Sequence, residues 1–300
     1  MRVVHAADVV APAHERARTS ERTNKKRRSR ATKIITRAVS FGDQRAGSVR
    51  REVLRREERQ KLDGGADADF YSQPRFVTHV DDDFIARVTE LYRRRLPRNG
   101  SVLDLCSSWV SHLPREIEYK KVWGHGMNAT ELGRNDRLDG FFVRDFNVNP
   151  KIDAKDETFD AVTICVSVQY LQRPEEVFAE IFRVLKPGGV CVVTFSNRLF
   201  YSKAVSAWRD ATGYARTQLV KQYFGSVNGF TAPEAITDLD DVVDDSLFGK
   251  LRRLFARSQG DPFYAVVAYR NFKPIVAEDC TRLIEDGECL TDSSFDSISD

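Results

Sequence analysis

Between residues 101 and 195, short uninterrupted apolar runs alternate with stretches long enough to hold helices. The runs are SVLDL, KVWGHG, GFFVRD, FDAVTICVS and GVCVVTF, with the helix-patterned PEEVFAEIFRVLK before the last. Strands that are apolar throughout must be covered on both faces, and parallel neighbours need crossovers of helix length. The pattern therefore predicts an α/β fold, a mostly parallel sheet with helices on both faces, in which DPFYAVVAYR (261–270) returns as an antiparallel late strand. Right-handed crossovers place the carboxyl ends of the parallel strands on one edge, where the ligand crevice of an open sheet lies. That edge singles out residues 104–109, 125–128, 145–147, 167–170 and 196–198.

The helices carry their own signals. DDDFIARVTELYRRRLP opens with capping acids, sets Phe84, Ile85, Val88, Leu91, Tyr92 and Leu96 at helical spacing and stops before Pro97. PEEVFAEIFRVLK has Pro174 at its start, acids in its first turn and the stop PGG. Two more helical stretches are read at about 199–212 and 214–224. SVRREVLRREERQKL (48–62) reads as a charged helix or linker ended by GGADAD, and SLFGKLRRLFARS (246–258) as an amphipathic helix.

Charge divides the chain. Residues 1–60 hold 17 Lys and Arg against 7 Asp and Glu, although the whole chain is only +3. Residues 16–40 are Arg-rich, hydroxyl-rich and nearly free of acids, the composition of an organelle transit peptide, with a nuclear-import or RNA-binding patch and a disordered tail as the other readings. The expected organisation is residues 1–45 as transit peptide or basic tail, 46–69 as linker or charged helix, 70–272 as the folded domain and 273–300 as an acidic tail. A chloroplast location follows from this reading, with the mitochondrion as the alternative. The remainder after residue 60 is net acidic, which disfavours a nucleic-acid partner. No run approaches the roughly 20 apolar residues of a membrane span. Cys106, Cys165, Cys191, Cys280 and Cys289 form no CxxC pair and read as free thiols rather than metal ligands, and no metal site is expected.

FDAVTICVSVQYLQRPEEVFAEIFRVLKPGGVCVVTFSNR, together with VLDL, VRDFN, GFTAPEAITDL and DPFYAVVAYR, resembles the class I S-adenosylmethionine-dependent methyltransferases, in particular their small-molecule type 11 group. Within that group the chain resembles a subset with FYSQPRFVTHVDD before the sheet and a Ser-Ser-Trp turn after the first strand. The resemblance spans about residues 70–270. It implies a Rossmann-like, seven-stranded sheet, S-adenosyl-L-methionine as methyl donor and in-line transfer to a small-molecule acceptor. It also implies a helix over GFTAPEAITDL.

Two departures from the group stand out. Its first loop is GxGxG, and those glycine positions become Cys106, Ser108 and Val110 here. A β-branched Val110 resists positive φ, so the loop is expected to take another path, with Ser107 or Ser108 capping a short helix over WVSHL whose amides would meet the donor's carboxylate. The acid that accepts both ribose hydroxyls is replaced by Gly126, leaving Asn128, with His125 nearby, to take a hydroxyl. The donor candidates are therefore Asp104, Cys106, Ser107, Ser108, Asn128, Asp145, Phe146 and Ser167, with the resemblance implying that Asp145 and Phe146 meet the adenine.

Methyl transfer from a sulfonium needs alignment and desolvation more than an obligatory side chain, so the lack of a triad or metal motif is no objection. His112 and His79 are the candidate bases, His79 within a lid. Gln169 and Tyr170 are expected beside donor or acceptor. Asn197 and Arg198 would suit an acidic acceptor, and Trp109 either stacks on a ligand or belongs to the core. The reading from a different class is a non-catalytic methyltransferase-fold scaffold or regulatory protein, for which a protein partner is left open.

Overall fold

The computed structural model describes residues 45–237 and 260–272. The proposed transit peptide, the acidic tail, Cys280, Cys289 and the amphipathic segment 246–258 lie outside the described residues.

Seven strands form one sheet: β1 (Ser101–Leu105), β2 (Lys121–Gly126), β3 (Gly140–Val143), β4 (Phe159–Cys165), β5 (Leu185–Phe195), β6 (Glu234–Thr237) and β7 (Tyr264–Tyr269). Their order is β3-β2-β1-β4-β5-β7-β6, and only β7 runs against its neighbours. The fold is therefore the expected Rossmann-like, mostly parallel sheet with an antiparallel late strand. Strand order reverses between β1 and β4, and a crevice opens at such a switch point.

Alternation along the strands divides the core between two faces. Val102, Ala161, Val190 and Val192 point to one side and meet Phe84, Val88, Leu91 and Tyr92 of the helix Asp82–Arg95. That helix, α2, follows a one-turn α1 (Asp67–Phe70), and its first turn is closed by the Asp81 carboxylate, which accepts the Phe84 amide. Leu103, Leu105, Val162 and Ile164 point the other way, with Val177, Phe178 and Ile181 of a helix at Pro174–Val184 and Val220, Tyr223 and Phe224 of one at Gly213–Gly225. These two are α4 and α6, with short α3 (Ala129–Leu132) and α5 (Ser206–Arg209) before each. The sheet is thus wrapped on both faces. No helix of the described residues is long and apolar enough to cross a membrane.

Three sequence expectations change here. Residues 48–62 form no helix; they run as a strap along the domain, with Leu54 buried. The amides of Val53 and Leu54 donate to the Glu175 carboxylate at 2.7 and 3.0 Å, and Arg59 grips the same carboxylate with both guanidinium nitrogens. Amides spent on a distant side chain cannot donate along a helix. GFTAPEAITDL contributes β6 rather than a helix, because its backbone pairs with β7 from Glu234 to Thr237. The stretch 199–212 is helical only over Ser206–Arg209.

Burial alone would raise the Glu175 carboxyl, yet its hydrogen bonds from Arg59 and the strap amides outweigh that and hold it below the usual carboxylate range. Removing one partner of a buried ion pair leaves the other uncompensated. Glu175→Ala is expected to cost about 3 kcal/mol by urea unfolding and to make the strap the first segment cut in limited proteolysis; an unchanged cleavage pattern would count against the strap's anchoring.

Candidate active site

Each parallel strand delivers one piece of a cavity of about 400 Å³ at the carboxyl edge of the sheet. β1 leads into Cys106, Ser107 and Ser108; β2 ends in His125, Gly126, Met127 and Asn128; β3 is followed by Arg144 through Asn147. β4 gives Val166, Ser167, Tyr170 and Leu171, and β5 gives Arg198, Leu199 and Phe200. The outer wall is the chain before α2: Asp67, Tyr71, Arg75, Thr78 and His79.

The first loop reaches this edge without glycine. Cys106 itself takes φ +54°, and Val166, facing it at the end of β4, takes φ +49°. A left-handed conformation costs a non-glycine residue about 1–3 kcal/mol, and such strain gathers where a fold is shaped for binding. Val110 and Ser108 do not adopt positive φ, so of the three glycine positions only the first, Cys106, carries the strain.

No helix forms over WVSHL, contrary to the sequence expectation. The hydroxyls that would cap it are committed elsewhere: Ser107 and Ser111 both donate to Asp104 Oδ2 at 2.6 Å, and Ser108 donates to Glu131. Asp104 also accepts the Thr163 hydroxyl at 2.9 Å. This carboxylate is buried behind the loop and does not line the cavity; its hydrogen bonds shape the loop.

Gly126 is explained by the same loop. A Cβ there would stand 2.5 Å from the Ser107 carbonyl oxygen, while the Ser107 amide donates to the His125 carbonyl at 2.6 Å. The loop lies on the end of β2, and a side chain at 126 is sterically excluded. Asn128 lines the cavity, but its oxygen accepts the Thr130 and Glu131 amides as the cap of α3, and its Nδ2 donates to the carbonyls of Tyr71 and Ser72. It keeps no acceptor for a ribose hydroxyl. Glu131, which the sequence reading passed over, lines the cavity beside it and accepts the Arg75 amide at 2.7 Å.

His125 joins three of these pieces. Its Nδ1 faces the Cys106 amide at 3.2 Å, its Nε2 faces the Arg144 carbonyl at 2.8 Å, and its ring stacks on Phe146 with centroids 3.8 Å apart. An amide can only donate and a carbonyl only accept, so the ring is neutral with its proton on Nε2. Burial pushes its pKa down to about 4. The unfolded chain binds a proton near 6.5 and the folded one does not until about 4, so this stabilisation is fully present above pH 6.5 and is lost as pH falls toward 4. We expect up to about 3 kcal/mol less stability at pH 4 than at pH 7 from this residue, read from urea midpoints; His125→Gln, which keeps a donor and an acceptor, should flatten that dependence.

Among the other sequence candidates, Asp145, Phe146, Ser167, Tyr170 and His79 line the cavity with Cys106, Ser107 and Ser108, whereas His112 and Gln169 do not. His112 sits behind the first loop, its pKa lowered by burial and partly restored by Asp104. Gln169 is buried and donates to the Val166 and Arg198 carbonyls, a packing role set by its own turn. Asn197 stays outside, and Arg198 lines the cavity while pairing with Asp261 at 2.6 Å. Trp109 donates its indole N–H to the Val77 carbonyl at 3.1 Å and packs edge-on to Phe76, so it holds the outer wall and leaves the crevice open.

A hydrogen-bonded ionic cluster fixes that wall. Buried Lys203 pairs with Asp63 at 3.0 Å and Asp67 at 3.3 Å, Lys61 pairs with Asp67, and Asn147 donates to Asp67 at 2.9 Å and to the Tyr170 carbonyl at 3.0 Å. The strap and the loops after β3, β4 and β5 are thereby tied together.

Residues 126–193 match the family model described as "Methyltransferase domain". The matched span holds Asn128, Asp145, Phe146, Ser167 and Tyr170, whereas the Cys106–Ser108 loop and the wall at 67–79 lie outside it. A search of curated proteins gives no match. Among solved structures, this chain is similar to a chain in the complex between the Haloferax volcanii Trm112 methyltransferase activator and a methyltransferase. The two share 16% identity with a TM-score of 0.44, over 64% of this chain and 92% of that one. An S-adenosylmethionine-dependent methyltransferase from Mesorhizobium loti shows 15% identity and a TM-score of 0.40 over 60% and 96%. Haemonchus contortus phosphoethanolamine N-methyltransferase 2, in complex with S-adenosyl-L-methionine, shows 14% and 0.40 over 62% and 52%.

Proposed function

We propose that the protein transfers a methyl group from S-adenosyl-L-methionine to a small-molecule acceptor. The observation that carries this reading is the open cavity at the switch point, which the unusual first loop borders without filling. Its volume lies within the range of small-ligand sites. One carboxylate oxygen of Asp145 accepts the Asn147 amide at 2.8 Å and the other has no hydrogen bond, so it can take an adenine amino group, with Phe146 beside it. The ribose end differs from the pattern the resemblance implies, since Gly126 and Asn128 are unable to serve; Ser107, Ser108 and Glu131 stand in that region. Cys106 and Ser167 border the remaining space, and the donor would supply an activated methyl on a sulfonium.

The chain's own residues then exclude water, align the acceptor and accept its proton. Burial lowers the His79 pKa, with Glu131 raising it and Arg75 lowering it, so His79 is neutral near pH 7 and able to act as base. Burial pushes the Tyr170 phenol up to about 12, and its oxygen accepts the Phe200 amide at 2.8 Å, which makes Tyr170 a donor of hydrogen bonds rather than a base. Asp145→Asn keeps the turn and converts the second acceptor to a donor. It is expected to weaken S-adenosylhomocysteine binding about tenfold or more with unfolding unchanged; equal affinity would remove Asp145 from the donor site. The basic residues 1–45 we propose as a chloroplast transit peptide, with mitochondrial import as the alternative, to be read from where a fluorescent protein fused behind them accumulates.

A further inference from the structure

The outer wall of the cavity holds a cation that the fold does not neutralise. Arg75 lines the cavity, and its Nη1 is buried with no hydrogen-bond partner. Its Nη2 donates to the Phe70 carbonyl at 2.9 Å, and no carboxylate among the described residues pairs with the guanidinium. The group is nevertheless held in place. Glu131 accepts the Arg75 backbone amide, and the guanidinium carbon stands 4.5 Å from the Phe70 ring centre, 6.0 Å from that of Tyr71 and 5.6 Å from that of Phe200. Rings supply part of a cation's solvation but no lone pair in the plane of the fork.

The other cavity cations are already engaged. Arg198 is paired with Asp261. Arg144, like Arg75, bonds only a carbonyl, that of Lys151, but does so at an exposed site where water solvates it, and it has no buried unpartnered nitrogen. The position of Arg75 also matters. Its aromatic neighbour Phe200 follows β5, on the far side of the cavity from Asp145 and Phe146, which follow β3. His79 packs edge-on to the same Phe200 ring at 5.3 Å, which brings the candidate base to the same half.

Resting on the methyl-transfer reading, we propose that Arg75 binds the carboxylate of an acidic acceptor whose apolar or aromatic body lies along Phe200, beside His79. A planar guanidinium with a buried, unpartnered Nη1 suits a carboxylate, and such a nitrogen is satisfied best by an anion. The acceptor class is then a small carboxylic acid. The donor's own carboxylate shares this chemistry, and the two sources are separable.

The probes are 2-naphthoate and its neutral amide, alike in shape and different in charge, titrated by calorimetry into the full chain with and without saturating S-adenosylhomocysteine. We expect the acid to bind about tenfold to a hundredfold more tightly than the amide, and the preference to vanish in Arg75→Gln and to persist in weakened form in Arg75→Lys. Equal binding of acid and amide by the unmodified protein, which involves no variant that could misfold, overturns the proposal. S-adenosylhomocysteine and 5′-methylthioadenosine, which lacks the carboxylate, form the second arm. If Arg75→Gln weakens only the former and leaves the naphthoate preference intact, the anchor belongs to the donor and the acceptor assignment fails. If S-adenosylhomocysteine does not bind at all, the methyl-transfer reading fails, while the titrations without it still decide whether Arg75 selects an acid.

Discussion

Asp104→Ala is expected to cost about 3 kcal/mol of stability and to release the first loop from the sheet, the largest effect of any single change near the site. The carboxylate is buried and accepts three hydroxyls, from Ser107, Ser111 and Thr163, and Ser111 in turn accepts the Asn135 amide nitrogen at 2.9 Å. A hydrogen bond to a charged group contributes about 1.5–3 kcal/mol. The three are not additive, because the freed hydroxyls can turn toward one another. Urea unfolding measures the loss, and a value under about 1 kcal/mol would mean that the loop is shaped by something else. Ligand binding should fall as well, although Asp104 does not line the cavity, since the Ser107 and Ser108 backbone would no longer be held against β2.

Gly126→Ala should be almost as damaging for a steric reason. The added methyl would meet the Ser107 carbonyl oxygen at 2.5 Å, and that oxygen is backbone, so the whole loop must withdraw. The expected cost is about 2 kcal/mol, with S-adenosylhomocysteine affinity reduced about tenfold or more. Gly126→Asp is the sharper version. It installs the acid that the methyltransferase resemblance leads one to expect at the end of β2, yet it should weaken binding too. Tighter binding in Gly126→Asp would show that the loop yields and that the ribose is simply short of an acceptor.

The strands and α2 were readable because their causes are local. Apolar runs such as TICVSV must be buried wherever they fall, and Asp81 caps the helix three residues ahead of the amide it accepts. The strap was not readable, since what holds residues 53–59 is Glu175, far along the chain, and a run of mixed charge with no apolar stripe carries no trace of that partner. The first loop was half legible. Its sequence showed that Val110 would resist positive φ and that another path was required. The path itself depends on Ser107 and Ser111 turning inward to Asp104, a choice that a serine's local preference for capping does not reveal.

The site candidates divided in the same way. Asp145, Phe146, Ser167 and Tyr170 follow strand ends and reach the cavity because topology puts every strand end there. His112 and Gln169 were placed by nearness in the chain alone, and packing turned them elsewhere. Arg75 lies within the quoted FYSQPRFVTHVDD but was given no role there, since an arginine ahead of a helix is ordinarily solvated; only its seat between Phe70 and Phe200 sets it apart.

The central claim is that a cavity edged by Cys106, Ser107 and Ser108 holds a sulfonium nucleoside where glycines would be expected. Calorimetry of the full chain with S-adenosyl-L-methionine tests it most directly. The account predicts saturable heat with a dissociation constant in the micromolar range; no heat with the nucleoside at millimolar concentration would contradict it.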